Sequence, residues 1–334
     1  VTPGQDLGDI LLAIIRTAVL TSGDLPKGIR MKRTLVLILA GALVALSPVH
    51  AATAKSGNPK TGAPKSGAPK DGKPKGTTVA VGVQWLGGMA DNRIDESSGV
   101  AVSRRDPNVF WTHNDGGAGK RPRIFSIDRT GKSLGAFSIG GTNLHDWEDI
   151  ATDAAGNLYL GDIGNSEAKR TTLAVYQFPE PDPRASGGAA GVQRAWQLRF
   201  PGAPFDCEAL FVWKEHGYLV SKVAPGTHAQ IFRFPLKDTT EPVTLELVVS
   251  TKIDSPVTGA DISPDGKLLG LVANNGAYVY RIDGDIARVA KAKPHHTKYK
   301  DAKIEGCSFV ADGLICTSET GAIYLFTDPQ FRGK

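Results

Sequence analysis

Asp146-Trp147-Glu148-Asp149-Ile150-Ala151-Thr152-Asp153-Ala154-Ala155-Gly156-Asn157-Leu158-Tyr159-Leu160-Gly161-Asp162-Ile163-Gly164-Asn165 sets two short apolar runs on either side of a Gly-Asn turn. An acidic cluster precedes the first run and a Gly-Asp-x-Gly-Asn cluster follows the second. The pattern predicts a hairpin whose open end carries both clusters. The same design returns at 96–115, 206–222, 258–275 and 305–319. A unit recurring about every 50 residues is what a β-propeller looks like in sequence. The expected fold is therefore all-β, a propeller of five blades, with six as the alternative if a degenerate blade lies in 179–205.

Outer strands follow each hairpin: Arg123–Asp128 and Ser133–Ile139, Leu173–Phe178 and Arg194–Phe200, Ala229–Leu236 and Val243–Thr251, then Ala277–Ile282 and an ill-defined strand through Ala287–Tyr299. Pro179–Gly191 reads as a Pro/Gly/Ala loop. The fifth unit ends after Ala322–Phe326 without a fourth strand, while Val79–Leu86 alternates like a strand with no hairpin partner beside it. Pairing the two closes the ring and removes exposed sheet edges. The propeller is expected over 77–334.

The N-terminal stretch reads differently. Met31-Lys32-Arg33, the apolar run Leu35–Leu46 and the small residues around Ala51 and Ala54 form a secretory signal peptide over 31–54. Its apolar run is shorter than the roughly 20 residues of a spanning helix, so a periplasmic or secreted protein without a transmembrane anchor is expected. Residues 1–30 read as a leader placed upstream of the true start at Met31; the alternative is a genuine leader with a short apolar helix over Leu7–Leu20. Residues 55–76 repeat Gly-x-Pro-Lys four times with almost nothing to bury, which predicts an extended, disordered linker.

A hydrophobic content of 41% with 22% charged residues is that of an ordinary globular protein. The net charge of +5 sits outside the propeller. Residues 55–76 hold six Lys against Asp71 and residues 1–54 hold five basic and three acidic side chains, leaving −2 for the rest. Specific nucleic-acid binding is not expected; the linker's expected contacts are solvent or an anionic cell-envelope polymer. The propeller is expected to be a monomer. Cys307 and Cys316 fall on one hairpin in a register expected not to set them opposite, so with Cys207 they read as buried small hydrophobes.

In a propeller, residues that begin the first strand of each hairpin and residues that end the second share a face. That rule gathers Glu96, Asp146, Glu148, Asp206, Glu208, Asp261 and Glu305 from strand starts around one mouth of the channel. From the returning strands come Asn114, Asp115, Asp162, Asn165, Lys222, Asn274, Asn275 and Glu319. The pairs 146/148 and 206/208 also obey strand period two. Converging carboxylates repel unless neutralised. Ca2+ accepts about six to eight oxygens of this kind, and the lack of clustered Cys and His argues against zinc. The alternative is that the acids cap turns and backbone N–H groups, with Lys222 paired to one of them. His113 and His145 stand where they could exchange a proton at the mouth. No Gly-x-Ser-x-Gly, HExxH or P-loop is present, so covalent serine chemistry and nucleotide chemistry have no support.

Glu-Ser-Ser-Gly-Val-Ala at 96–101, Thr-His-Asn-Asp-Gly at 112–116, Asp-Trp-Glu-Asp-Ile-Ala at 146–151, Gly-Asp-Ile-Gly-Asn at 161–165, Asp-Cys-Glu-Ala-Leu at 206–210 and Thr-Gly-Ala-Asp-Ile-Ser-Pro-Asp-Gly at 258–266 together resemble a group of largely uncharacterised exported bacterial propellers. More distantly the chain resembles the SdiA-regulated and phytase-like esterase propellers, and the calcium-dependent gluconolactonase and paraoxonase superfamily. The resemblance covers about 90 to 325. It implies a central Ca2+ on Glu148, Glu208, Asn114, Asp162 and Asn274, and ester or lactone hydrolysis. The chain departs from it at Ala260, where units two and three are expected to have Glu, and at Lys303, where they have Asp.

The expected function is an exported propeller whose acidic, Ca2+-binding funnel holds a small-molecule or carbohydrate-like ligand. In the hydrolase version the ligand is an ester, lactone or phosphate-containing molecule. There the metal polarises its oxygen while His145, Asp146 or Glu148 serves the chemistry. Glu96, His113, Asp115, Asn165, Lys222, Asp261, Glu305 and Glu319 are the expected ligand contacts. A glycoside hydrolase using paired carboxylates and a non-catalytic envelope binding or scaffold module are the alternatives.

Overall fold

The computed structural model describes residues 76–332 apart from 117–120, 143, 224–226 and 302. The expected leader, signal peptide and linker, up to residue 75, lie outside the described residues. Blade 1 consists of Ser97–Val102, Val109–Asn114, Arg123–Asp128 and Ser133–Gly140, and blade 2 of Trp147–Thr152, Asn157–Asp162, Thr172–Pro179 and Arg194–Arg199. Blade 3 consists of Cys207–Trp213, His216–Ser221, Gln230–Pro235 and Glu246–Ser250, and blade 4 of Val257–Ile262, Leu268–Ala273, Gly276–Arg281 and His295–Lys298. Blade 5 takes Ile304–Val310, Gly313–Ser318 and Ala322–Phe326 from the end of the chain and Val83–Gly88 from its start, with Thr77–Ala80 outside them. Each first strand packs against the first strands on both sides, so five inner strands close a ring. The fold is a five-bladed β-propeller.

No sixth blade hides in 179–205. Gly187–Gly191, within the expected loop, runs parallel to the outer strand of blade 1, and Arg194–Arg199 completes blade 2. The expected strand Val243–Thr251 is likewise split. Val243–Thr244 runs parallel to the edge of blade 2, and Glu246–Ser250 closes blade 3. Each loop thus covers the neighbouring blade's edge, whose unpaired backbone groups would otherwise face solvent. In blade 4 the ill-defined outer strand resolves into a 3-10 turn at Ile286–Ala290 and the strand His295–Lys298.

The inner strands are buried almost residue for residue, because neighbouring blades cover both of their faces. Outer strands such as Arg194–Arg199 keep an alternating pattern. Close approach at the ring shows at Gly99, Gly259 and Gly306, where a Cβ would run into the backbone of the adjacent inner strand. Inner strands of different blades share no ladder, so side chains stitch them. Asp149 accepts Ile150 N and, from blade 3, Leu210 N, both at 2.8 Å. Asp261 accepts Ser308 Oγ and Phe309 N of blade 5 at 2.8 Å, and Ser308 Oγ in turn accepts Val102 N of blade 1.

Cys307 and Cys316 are cross-strand partners, contrary to the expected register. Val310 pairs with Gly313, so the turn holds two residues, Ala311 and Asp312, rather than three. All three cysteines are free thiols and buried.

Ring closure depends on Val83 and Trp85, which are buried in the blade 5 core. A chain starting at Gly76 keeps that strand and one starting at Asp91 loses it. The shorter chain is expected to aggregate or to melt about 10 °C lower or more, given a few kcal/mol per large core side chain lost. Equal melting of the two would refute the role of this strand. Asp149→Ala strands two backbone donors and is expected to cost about 2–4 kcal/mol, with Asp149→Asn costing less. Denaturant unfolding of the two variants measures the difference.

Candidate functional site

All five inner strands carry a β-bulge at the same place. Trp147 faces Asp162 and Asp149 faces Gly161, leaving Glu148 outside the pairing. The same shift falls at Ser98, Glu208, Thr258 and Glu305 in the other blades. A bulge re-aims the side chain it carries, and here it sets these five residues near the mouth. Two positions earlier stand Glu96, Asp146, Asp206, Pro256 and Lys303. Their carbonyls accept the N–H groups of Asp115, Gly164, Lys222, Asn274 and Glu319 on the returning strands. Thr258, not Ala260, is thus the blade 4 counterpart of Glu148 and Glu208. Asp261 lies deeper, with its oxygens engaged by Ile262, Ser308 and Phe309 rather than turned to the mouth.

Asp115, Asp146 and Glu148 converge, each offering an oxygen within 4.8 Å of the others. Gly164 sits against them, and a Cβ there would collide with the carboxylates of both Asp146 and Glu148. Burial, then repulsion by Asp115, pushes Asp146 up to about 6. Burial, reinforced by Glu208, Asp115 and Asp146, pushes Glu148 well above the ordinary glutamate value. Burial also raises Glu208 to about 7 despite Lys222 Nζ at 2.8 Å. Burial and the charge of Glu208 raise Glu305 to about 9. Burial works against the charge of Lys222, yet Glu208, Glu305 and Asp206 hold its pKa above the usual lysine value.

Other residues singled out from the sequence are engaged in holding the mouth together. Asn114 Oδ1 accepts Asp95 N and Glu96 N, and its Nδ2 donates to Arg93 O. Asp162 accepts Asp146 N at 2.8 Å and pairs with Arg170 at 3.0 Å. Asn165 is buried, its backbone N donating to Asp206 Oδ1 and its side chain bonded to the backbone of Arg170. Glu319 pairs with Lys303, while Glu96 is exposed. Of the five ligands implied by resemblance, only Glu148 belongs to the convergent three. Asn274 Oδ1 and Glu305 Oε2 are buried without a hydrogen-bond partner. His113 is fully buried, burial pushes it down to about 4, and its Nδ1 donates to Asn114 O at 2.9 Å. His145 is largely exposed with Nδ1 3.4 Å from Asp162.

Sequence reasoning missed Gly164, Arg170, Ser98 and Thr258. The second glycine of Gly-Asp-Ile-Gly-Asn was the available signal for the first of these. Arg170 donates to the carbonyls of Gly164 and Asp162, fixing the loop that carries that glycine. Ser98 Oγ donates to Glu148 O at 2.6 Å and Thr258 Oγ1 to Ile304 O at 2.8 Å, so these two bulge residues join blades.

No known protein family and no curated protein matches the sequence. Solved structures do match in fold. One is a chain in a crystal structure of a nidogen/laminin complex, with a TM-score of 0.43 and 13% identity, covering 67% of this chain and 73% of that one. A likeness at that level carries no functional argument, and the fold itself, a five-bladed propeller with an acidic mouth, is what the chain's own strands establish.

Proposed function

We propose that this protein is an exported propeller that holds a divalent cation, Ca2+, between Asp115, Asp146 and Glu148. Through it the mouth binds a small ligand rich in oxygen, such as an ester, a lactone or a phosphate. The observation that carries this reading is the convergence of three carboxylates on one point, over a glycine that leaves the space open. The oxygen spacing suits a cation with Ca–O distances of about 2.3–2.6 Å. A bound cation would polarise a carbonyl or phosphoryl oxygen. Among the neighbours of Glu148, Glu208 has a proton affinity suited to accepting a proton near neutral pH. Export, and contact of the Lys-rich linker with anionic envelope polymers, belong to the same proposal and rest on the sequence of residues 31–76.

A variant series separates cation binding from a purely structural role. With chelator present, Glu148→Gln is expected to be neutral or stabilising, because it relieves like-charge repulsion. Excess Ca2+ is expected to raise the melting temperature of the native protein by about 5–10 °C. Glu148→Gln and Gly164→Ala should both lose that gain. Glu208→Gln, which leaves Lys222 without its carboxylate, is expected to lower the melting temperature in chelator as well. If Glu148→Gln lowers it equally with and without Ca2+, the cation reading fails.

A pH profile without metal tests how strongly burial, helped by the charge of Glu208, disfavours a charged carboxylate here. The Glu305 pKa is raised to about 9 in the fold. Between the ordinary glutamate value and about 9 the unfolded chain has released this proton and the folded chain retains it. Stability therefore falls as pH rises through that window. Glu305→Gln should flatten the fall measured by denaturant unfolding between about pH 5 and 9. An unchanged slope would contradict it.

A further inference from the structure

The opposite end of the channel, where the inner hairpins turn, holds two cavities that share Arg104, Ser263 and Pro264 as a common wall. One measures about 650 Å3 and has Val102, Pro107, Phe309 and Val310 among its apolar walls, with Arg129 also on its lining. The other measures about 490 Å3 and is lined by Val212, Trp213 and Lys214. Either volume lies in the range of about 300–1,000 Å3 typical of small-molecule sites. Arg104 stands between them on a fixed seat. Its backbone N donates to the buried Glu180, its Nε to Asp153 O at 3.1 Å and its Nη2 to Thr152 O at 3.4 Å.

The two carbonyls neutralise none of its charge, and the Glu180 carboxylate is taken by the Arg104 backbone N–H and Trp111 Nε1 rather than by the guanidinium. Among the described residues no carboxylate pairs with the Arg104 guanidinium. The acids nearby are already occupied. Asp153 accepts the N–H groups of Ala155 and Asn157, Asp265 accepts Ser263 Oγ and Lys267 N, and Asp312 pairs with Arg129 at 2.8 Å. Asp261, close enough to feel the charge of Arg104, has its oxygens taken by Ile262, Ser308 and Phe309. Lys214, on the second cavity, lies 5.4 Å from the Trp213 ring and adds a second cation. The indole Nε1 of Trp213 is buried without an acceptor.

We infer that this groove is a binding site for an apolar molecule bearing a single oxyanion headgroup. The headgroup pairs with Arg104 and the apolar body fills the larger cavity against Val102, Pro107 and Phe309. A guanidinium fixed by neutral carbonyls keeps donors for a carboxylate, sulfonate or phosphate, and pairs with such groups through charge-assisted bonds. The site lies at the far end of the inner strands from the carboxylates of Asp115, Asp146 and Glu148. It therefore stands or falls independently of the cation.

Fluorescence titration of the full chain with anilinonaphthalene sulfonate, an aromatic body with one sulfonate, tests the site; N-phenylnaphthylamine, its uncharged relative, is the control. The native protein is expected to bind the sulfonate at one site. Arg104→Ala should weaken it about tenfold or more while changing the neutral dye little, and Arg104→Lys should recover part of the loss. Ala311→Trp, an exposed turn residue on the cavity wall, should weaken both dyes. Failure of the native protein to bind the sulfonate would overturn the proposal. So would an Arg104→Ala variant that binds it as before, or that loses both dyes equally.

Discussion

Five strands buried on both faces have to meet around one axis. Where two pass closest, only glycine fits, as at Gly99, Gly259 and Gly306. Where they stand slightly apart, a polar side chain must satisfy a backbone group on the next blade, because inner strands of different sheets form no ladder. Asp149 and Asp261 do this with carboxylates, and Ser98, Thr258 and Ser308 with hydroxyls. A buried N–H left without an acceptor costs about 1–3 kcal/mol, so these contacts hold the blades in register. Burial pushes both Asp149 and Asp261 above the ordinary aspartate value, while the backbone donors around them pull the other way.

The repeated bulge extends the same constraint to the mouth. It gives every blade one residue outside the ladder, and the blades fill that position differently. Blades 1 and 4 place Ser98 and Thr258 there and use them as stitches. Blades 2, 3 and 5 place Glu148, Glu208 and Glu305, three buried carboxylates around one opening. Lys222 sits against Glu208 and Lys303 against Glu319. Asp115, Asp146 and Glu148, on blades 1 and 2, converge beside Gly164. The cation proposed above would therefore sit off the axis, beside Gly164.

Much of this was legible in the sequence, for reasons that can be named. Hairpins with acidic open ends recur at blade spacing, and the orphan strand read at Val79–Leu86, which the structure divides into Thr77–Ala80 and Val83–Gly88, answers a missing one. Asp115, Asp146 and Glu148 were placed at one mouth by the rule that strand starts and strand ends share a face. What the sequence hid is register. Asp261-Ile262 repeats the Asp149-Ile150 pair two positions later in its strand, so Ala260 looked like the counterpart of Glu148 when Thr258 is, and Asp261 looked like a mouth residue. The facing of Cys307 and Cys316 was missed for a similar reason, a turn one residue shorter than it read. Outer segments such as Gly187–Gly191, small and nearly featureless, owe their strand conformation to the neighbouring blade rather than to their own sequence.

The two ends of the inner hairpins also differ in how they hold their acids. At the turn end, Asp106 accepts the N–H of Asn108 and the charge of Arg184, and Asp265 accepts Ser263 Oγ and Lys267 N. These bonds favour the charged form and lower both carboxyls below the ordinary aspartate value. At the mouth the same chemical group is raised in Asp146, Glu148, Asp206, Glu208 and Glu305, with burial the leading cause at each. Burial gives the same upward direction at Asp149 and Asp261, which join blades; what the mouth adds at Asp146, Glu148 and Glu305 is repulsion from neighbouring carboxylates. Charged carboxylates held together against burial and mutual repulsion are disfavoured, and the divalent cation proposed at Asp115, Asp146 and Glu148 would reverse the sign of that interaction.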